Sequence, residues 1–418
     1  MLCYLKHQNR NTGPSLLLRI GGILLILVLV TGMPELSRAA PTMQSGTTLT
    51  VSPDPVTVQG CEIVDVAVRI NDVVDLYGAD VILTFDPNVL EVVNADGSPA
   101  NQVTNGGFLV PPEGMEDRIY VARNTVDNQA GTIQYAATLL NPALAVSGSG
   151  DLIVFRFRAR SANPASALQF AYSKLAEPGG VEIAATAIDG SAETSAPPAV
   201  DVTISRADST TARLSWPATA GVENYNIYRE TTPYFTPGGT PYATVASGPY
   251  DDAGALGDVN TNYFYAVRSA CANGFESANS NRVGEFDYQL RETASTDYNW
   301  IALSLDASLN TASDLAAHIE DNATDTVVVD TIEVWNATGQ NYLTYFPPFN
   351  DFDLRLGGVY RVSTSVTSET STVWSVVGDV PAPDVFTYTF YETASTNFNW
   401  LMLPLDKTAI TSASDLKD

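Results

Sequence analysis

The stretch DLYGADVILTFDPNVLEVV at residues 75–93 decides the fold. It is a β-rich run bearing Tyr and Phe that stops at Asp86-Pro87-Asn88-Val89-Leu90, a turn-forming string. Upstream, in IVDVAVRI (63–70), Val64, Val66, Val68 and Ile70 alternate with Asp65, Ala67 and Arg69. Downstream, in IVFRFRA (153–159), Ile153, Phe155, Phe157 and Ala159 alternate with Val154, Arg156 and Arg158. A period of two gives each strand one dry face and one wet face. Turn clusters at Ser52-Pro53-Asp54-Pro55, Asn105-Gly106-Gly107 and Ser147-Gly148-Ser149-Gly150 punctuate short β-rich runs, and helical periodicity is almost absent. Residues 46–192 therefore read as an antiparallel β-sandwich.

The quoted stretch, GTIQYAATLL (131–140), GSGDLIVFRFRA (148–159) and AIDGSAE (187–193) together resemble, in this order and spacing, a cohesin domain over 46–192. The resemblance implies a jelly-roll sandwich related to a class of carbohydrate-binding modules, whose task is to grip dockerin domains on extracellular enzymes. In cellulosomal cohesins the strand before the Asp-Pro turn contacts dockerin through an Asn and an Asp two residues apart. Gly78 and Asp80 stand at those positions here. Asp80 keeps the residue type, whereas Gly78 departs from it and puts dockerin affinity of that kind in doubt. Asp80 also has a plain reading as a solvated residue near a strand end. Tyr77 could pack on a ligand, or be a half-buried strand aromatic.

The small, polar, Pro-bearing GSAETSAPPAVD (190–201) suits an extended linker, placed at 193–200. A second sandwich is expected over 201–285. ARLSWPA (212–218), ENYNIYRET (223–231) and NTNYFYAVRSA (260–270) together resemble a fibronectin type III domain, an Ig-like sandwich. The resemblance implies structural roles for Trp216, as core tryptophan, and Tyr263, as a corner tyrosine bonding back to backbone.

ETASTDYNW (292–300) returns as ETASTNFNW (392–400), and the flanks agree: Phe286, Tyr288, Leu303, Leu305 and Asp306 recur as Phe386, Tyr388, Leu403, Leu405 and Asp406. Ser313-Asp314-Leu315 returns as Ser414-Asp415-Leu416, shifted by one. The repeat is domain-sized, longer than a solenoid unit. Copy 1 is placed at 286–384 and copy 2, read as truncated, at 385–418. The unit is expected to be β-rich with one short helix in TASDLAAHIE (311–320), capped by Ser313 or Asp314. Trp300 and Trp400, with Trp335 and Trp374, admit a sugar-stacking reading. The spacing Trp300-x-x-Leu303-x-Leu305 is read instead as a core strand, giving Trp300 and Trp400 structural roles. The unit weakly resembles Trp-bearing repeats of multidomain bacterial surface proteins.

Residues 1–19 carry Lys6, Arg10 and Arg19, then IGGILLILVLV (20–30) is apolar and Ser37-Arg38-Ala39 offers a cleavage pattern. Residues 1–39 thus read as a secretory signal peptide, with an uncleaved anchor as the alternative, and the protein is expected outside the cell or on its surface. Removal of 1–39 leaves 17 Lys+Arg against 46 Asp+Glu, a charge of −29. Such a surface repels phosphate backbones and anionic headgroups, which argues against nucleic-acid binding, and no later segment could span a bilayer, so no membrane insertion is expected after cleavage.

Cys61 and Cys271, 210 residues apart, are read as two buried small hydrophobes, an interdomain bridge being the alternative. His318 is the single histidine after position 39, no Gly-x-Ser-x-Gly occurs and no Cys/His cluster has zinc spacing, so no catalysis is expected. No cofactor is implied beyond weak Ca²⁺ binding by acidic loops. The whole reads as an all-β, multidomain, non-catalytic adhesion or scaffolding protein for dockerin-bearing secreted partners in polysaccharide breakdown. The alternatives are direct polysaccharide binding by the jelly roll, or the non-catalytic part of a longer secreted enzyme.

Overall fold

The computed structural model describes residues 46–111, 113, 117–293, 297–366, 371–392, 397–412 and 414–416. The leader expected at 1–39 lies outside the described residues. No helix among the described residues is long and apolar enough to cross a membrane. The chain is all-β except for one helix among these residues, Ala312–Asn322.

The first sandwich closes two sheets over one core. One sheet runs Ala185–Ala187, Thr47–Ser52, Ile63–Leu76, Val146–Ala159 and Leu90–Val93, with Thr104–Asn105 beside Val146–Ala159. The other runs Val56–Gln59, Gly190–Ser195, Asn163–Ala176, Gly78–Thr84, Thr132–Leu139 and Ile119–Asp127, with Glu182–Ile183 beside Asn163–Ala176. The expected alternation holds: Val66, Val68, Ile70, Ile153, Phe155 and Phe157 all enter the core. Arg158 breaks it, because its buried guanidinium pairs with Glu91 at 2.9 Å. Gly190–Ser195 pairs with Asn163–Ala176 and, in parallel, with Val56–Gln59, so the expected linker at 193–200 begins inside a strand. Ala192 and Thr194 are buried there, which outweighs the linker-like composition.

Beyond it stand a sheet of Thr203–Arg206, Thr211–Ser215 and Tyr250–Ala253, and a sheet of Ala243–Val245, Asn224–Glu230, Phe264–Ala270, Val283–Arg291 and Ser371–Asp379. Trp216 is buried and packs on Tyr225, with ring centroids 5.4 Å apart. Tyr263 does not act as a hydroxyl-bonded corner; its ring lies 4.2 Å from the Arg229 guanidinium. The junction expected at 285 falls within the strand Val283–Arg291. That strand pairs with Phe264 and Tyr265 on one side and along its whole length with Ser371–Asp379 on the other. A continuous ladder therefore runs through the boundary.

The last sheet runs Asn299–Ala302, Val359–Val366, Val327–Asn336 and Asn341–Tyr345, covered by the helix. The helix N-cap is Thr311, not Ser313 or Asp314. Thr311 Oγ1 accepts from the Asp314 N–H and Asp314 Oδ2 accepts from the Thr311 N–H, a reciprocal capping box. The two repeat copies keep equivalent bonds. Tyr288 Oη donates to the Ala302 carbonyl as Tyr388 Oη does to Met402, and Asn299 accepts from the Arg291 N–H as Asn399 does from Tyr391.

Trp300 is 56% exposed and is not a core residue. Ile301 beside it is buried, and in a strand neighbours face opposite ways. Its ring packs on Trp400 at 4.6 Å, beside Trp335 and Tyr342. Trp374 is fully buried instead.

Cys61 and Cys271 are joined in a disulfide, with Cα atoms 5.1 Å apart, so they are not two separate small hydrophobes. The turn carrying Cys271 folds against the first sandwich, and this contact brings together cysteines 210 residues apart.

Candidate functional site: the outer face around Asp80

Alternation in Gly78–Thr84 sends Ala79, Val81 and Leu83 into the core and Gly78, Asp80, Ile82 and Thr84 to the outer face. Ladder register extends this face sideways. Gly78 lies between Thr138 and Ala176, with Tyr120 beyond Thr138. Asp80 lies between Ala136 and Lys174, with Arg123 beyond Ala136. Ile82 lies between Gln134 and Tyr172.

The middle of this face is low because its residues are small. Gly78, Ala136, Thr138 and Ala176 floor a depression of about 250 Å³, rimmed by Asp80 and Lys174. A β-carbon built on Gly78 would lie 3.4 Å from Thr138 Oγ1, an ordinary contact, so the site has room for a side chain. Asp80 Oδ1 is sealed from water and accepts no hydrogen bond, while Arg123 Nη1 stands 3.8 Å away. Exposed Tyr120 and Tyr172 lie on either side of the depression, offering apolar area with a polar tip.

Of the residues nominated from sequence, Gly78 and Asp80 share this face and Tyr77 does not. Tyr77 packs against the core, and its backbone carbonyl accepts from the Leu139 N–H. Arg123, Lys174, Tyr120 and Tyr172 were missed. The face is assembled by register between distant strands, and two of those strands carry bulges, at Phe170/Tyr172 and Val121/Arg123, which shift the alternation.

His318 is engaged structurally: Trp374 Nε1 donates to its Nδ1 at 3.0 Å, and burial pushes its pKa down, keeping the ring neutral. Among the described residues no group of three or more His, Cys, Asp or Glu is placed to hold a metal ion.

Residues 49–193 match the family model of the cohesin domain. No curated protein matches the chain. Among solved structures, a non-cellulosomal cohesin from the hyperthermophilic archaeon Archaeoglobus fulgidus is 19% identical, covering 36% of this chain and 93% of its own, with a TM-score of 0.28. The second type II cohesin module of the ScaA scaffoldin adaptor of Acetivibrio cellulolyticus is 22% identical over 36% and 91%, with a TM-score of 0.31. A type I cohesin–dockerin complex from Clostridium thermocellum is 14% identical over 36% and 99%, with a TM-score of 0.29. Cohesin domains are non-catalytic protein-binding modules.

Proposed function

We propose that residues 49–193 bind a dockerin-type partner on the face built around Asp80, and that the chain is an exported, non-catalytic scaffold or adhesion protein. The observation that carries this reading is the match of 49–193 to the cohesin domain family. The open side of the depression, the partly exposed Asp80 side chain and the flanking tyrosines support the choice of face. Gly78 supplies no side-chain donor or acceptor, so the partner engages Asp80 by hydrogen bonding and the depression by apolar contact.

The remaining modules act as spacers in this reading. We assign 201–285 to a fibronectin type III-like sandwich, supported by a three-strand sheet facing four strands of the next and by the buried Trp216. We assign 286–384 and 385–418 to two copies of one repeat, supported by their shared hydrogen bonds. The Cys61–Cys271 disulfide supports an oxidising, extracytoplasmic setting.

Calorimetric titration of the mature chain against a panel of dockerins, with and without Ca²⁺, tests the reading. Binding that Asp80→Ala abolishes is the expected result. No binding across the panel, with retention on insoluble cellulose or chitin, would transfer the role to direct polysaccharide binding.

A further inference from the structure

Two carboxylates, Glu285 and Asp287, are buried in the strand that crosses from the second sandwich into the repeat, with exposures of 0% and 7%. They share one face of Val283–Arg291, two residues apart. Glu285 Oε1 accepts the Tyr263 N–H and Asp287 Oδ2 the Gly257 N–H, both at 2.5 Å, and the Asp258 N–H and the Ser375 hydroxyl also favour the ionised form of Asp287. The other oxygen of each, Glu285 Oε2 and Asp287 Oδ1, is sealed from water and accepts nothing. We propose that this pair retains a proton, carried by Glu285, at neutral pH, and that the seam between the second sandwich and the repeat therefore loses stability as pH rises through the range in which only the unfolded chain has given that proton up.

The surroundings offer no counter-charge to Glu285. From Thr203–Arg206, the cation Arg206 bears on Asp287, and its Nη1 donates to the Ser375 carbonyl at 3.1 Å. From the loop before Phe264–Ala270, Asp258 adds a further negative charge. Phe264–Ala270 itself contributes the neutral Tyr265. From Ser371–Asp379, Ser375 faces Asp287 and Val377 faces Glu285, neither of them charged. His318 of the helix lies near Arg206 and is kept neutral by burial. Two desolvated carboxylates on one strand face cannot both ionise without a large penalty, so one holds its proton.

Burial, then the charge of Asp287, pushes the Glu285 carboxyl up to about 9, from an ordinary 4.5. Between those values the folded chain keeps a proton that the unfolded chain has lost, so stability falls as pH rises. Below about 4.5 the penalty is absent, and above about 9 it is complete.

The test compares the mature chain with Glu285→Gln, which keeps the neutral shape, by denaturant unfolding across pH 5 to 9. Relative to the variant, the wild-type folded-to-unfolded ratio should fall by up to about tenfold per pH unit, the slope of a single proton. Parallel pH curves would overturn the proposal. Should Glu285→Gln fail to fold, infrared spectra of the wild type decide: a protonated-carboxyl band at pH 7 that disappears by pH 10 upholds it, and its absence at pH 7 refutes it.

Discussion

The side-chain amide of Asn273 reaches out of the second sandwich and donates to Glu91 Oε1 of the first at 2.9 Å, and to the Ala159 carbonyl at 2.8 Å. Glu91 is buried and already holds Arg158 and Arg160, each at 2.9 Å. Two residues before Asn273, Cys271 is bonded to Cys61, and two residues after it, Phe275 packs against the first core. One short turn thus joins the sandwiches by covalent, polar and apolar contact. The face around Asp80 is consequently held in a set orientation relative to the second sandwich.

Removing the bond should be expensive. The bridge closes a loop of about 210 residues, for which the chain-entropy account gives about 5 kcal/mol. Cys61→Ser with Cys271→Ser should lower the denaturant midpoint clearly, and wild type treated with a reductant should match it. An unchanged midpoint would mean that the polar and apolar contacts alone hold the turn.

Acid should loosen the same turn. Burial pushes the Glu91 carboxyl up, but hydrogen bonds from Arg160, Asn273 and Arg158 outweigh it and hold the group below its ordinary 4.5. A depressed carboxyl contributes stability that is present above the unfolded value and lost as pH falls through the folded one. The contribution should therefore disappear below pH 4.5. Glu91→Gln should flatten that part of the stability profile. At pH 7 it should also cost about 3–5 kcal/mol, because Arg158 is left buried without its counter-charge.

The proposed docking face predicts a contrast between its two central positions. Asp80→Ala should abolish dockerin binding in calorimetry while leaving the melting temperature within a few degrees, since Asp80 points outward. Gly78→Asn has room beside Thr138 and should fold, but its side chain enters the depression. It should shift the partner preference across a dockerin panel. Equal binding by wild type and both variants would remove this face from consideration.

The first sandwich was legible because its strands are amphipathic at a period of two, so Val66, Val68, Phe155 and Phe157 announce their own burial. Asp80 was nominated from its position before Asp86-Pro87, and strand alternation puts it on the outer face. The features that escaped depend on partners far away in sequence. Arg158 sits in phase with solvent-facing residues and is buried only because Glu91 lies across the sheet. Cys61 and Cys271 meet only because one sandwich docks on the other. Composition misled at 190–195, where Gly, Ser and Thr resemble a linker but the backbone completes a ladder.

Trp300 was misplaced by a spacing that is informative once its parity is counted. Ile301, Leu303 and Leu305 keep a period of two and all are buried, whereas Trp300 is out of phase with them and points outward. The buried tryptophan is Trp374, whose Nε1 donates to His318 and whose ring lies 5.3 Å from Tyr288. Trp374→Ala should cost about 3–5 kcal/mol, the range for emptying a large aromatic site. Trp300→Ala should stay within about 1 kcal/mol, since the ring is mostly solvated and touches Trp400 at the surface. Chemical denaturation of the two variants under identical conditions checks the contrast. A large loss for Trp300→Ala would mean that its contacts with Trp400 and the aromatic face carry real stability, and that copy 2 anchors copy 1 through that ring.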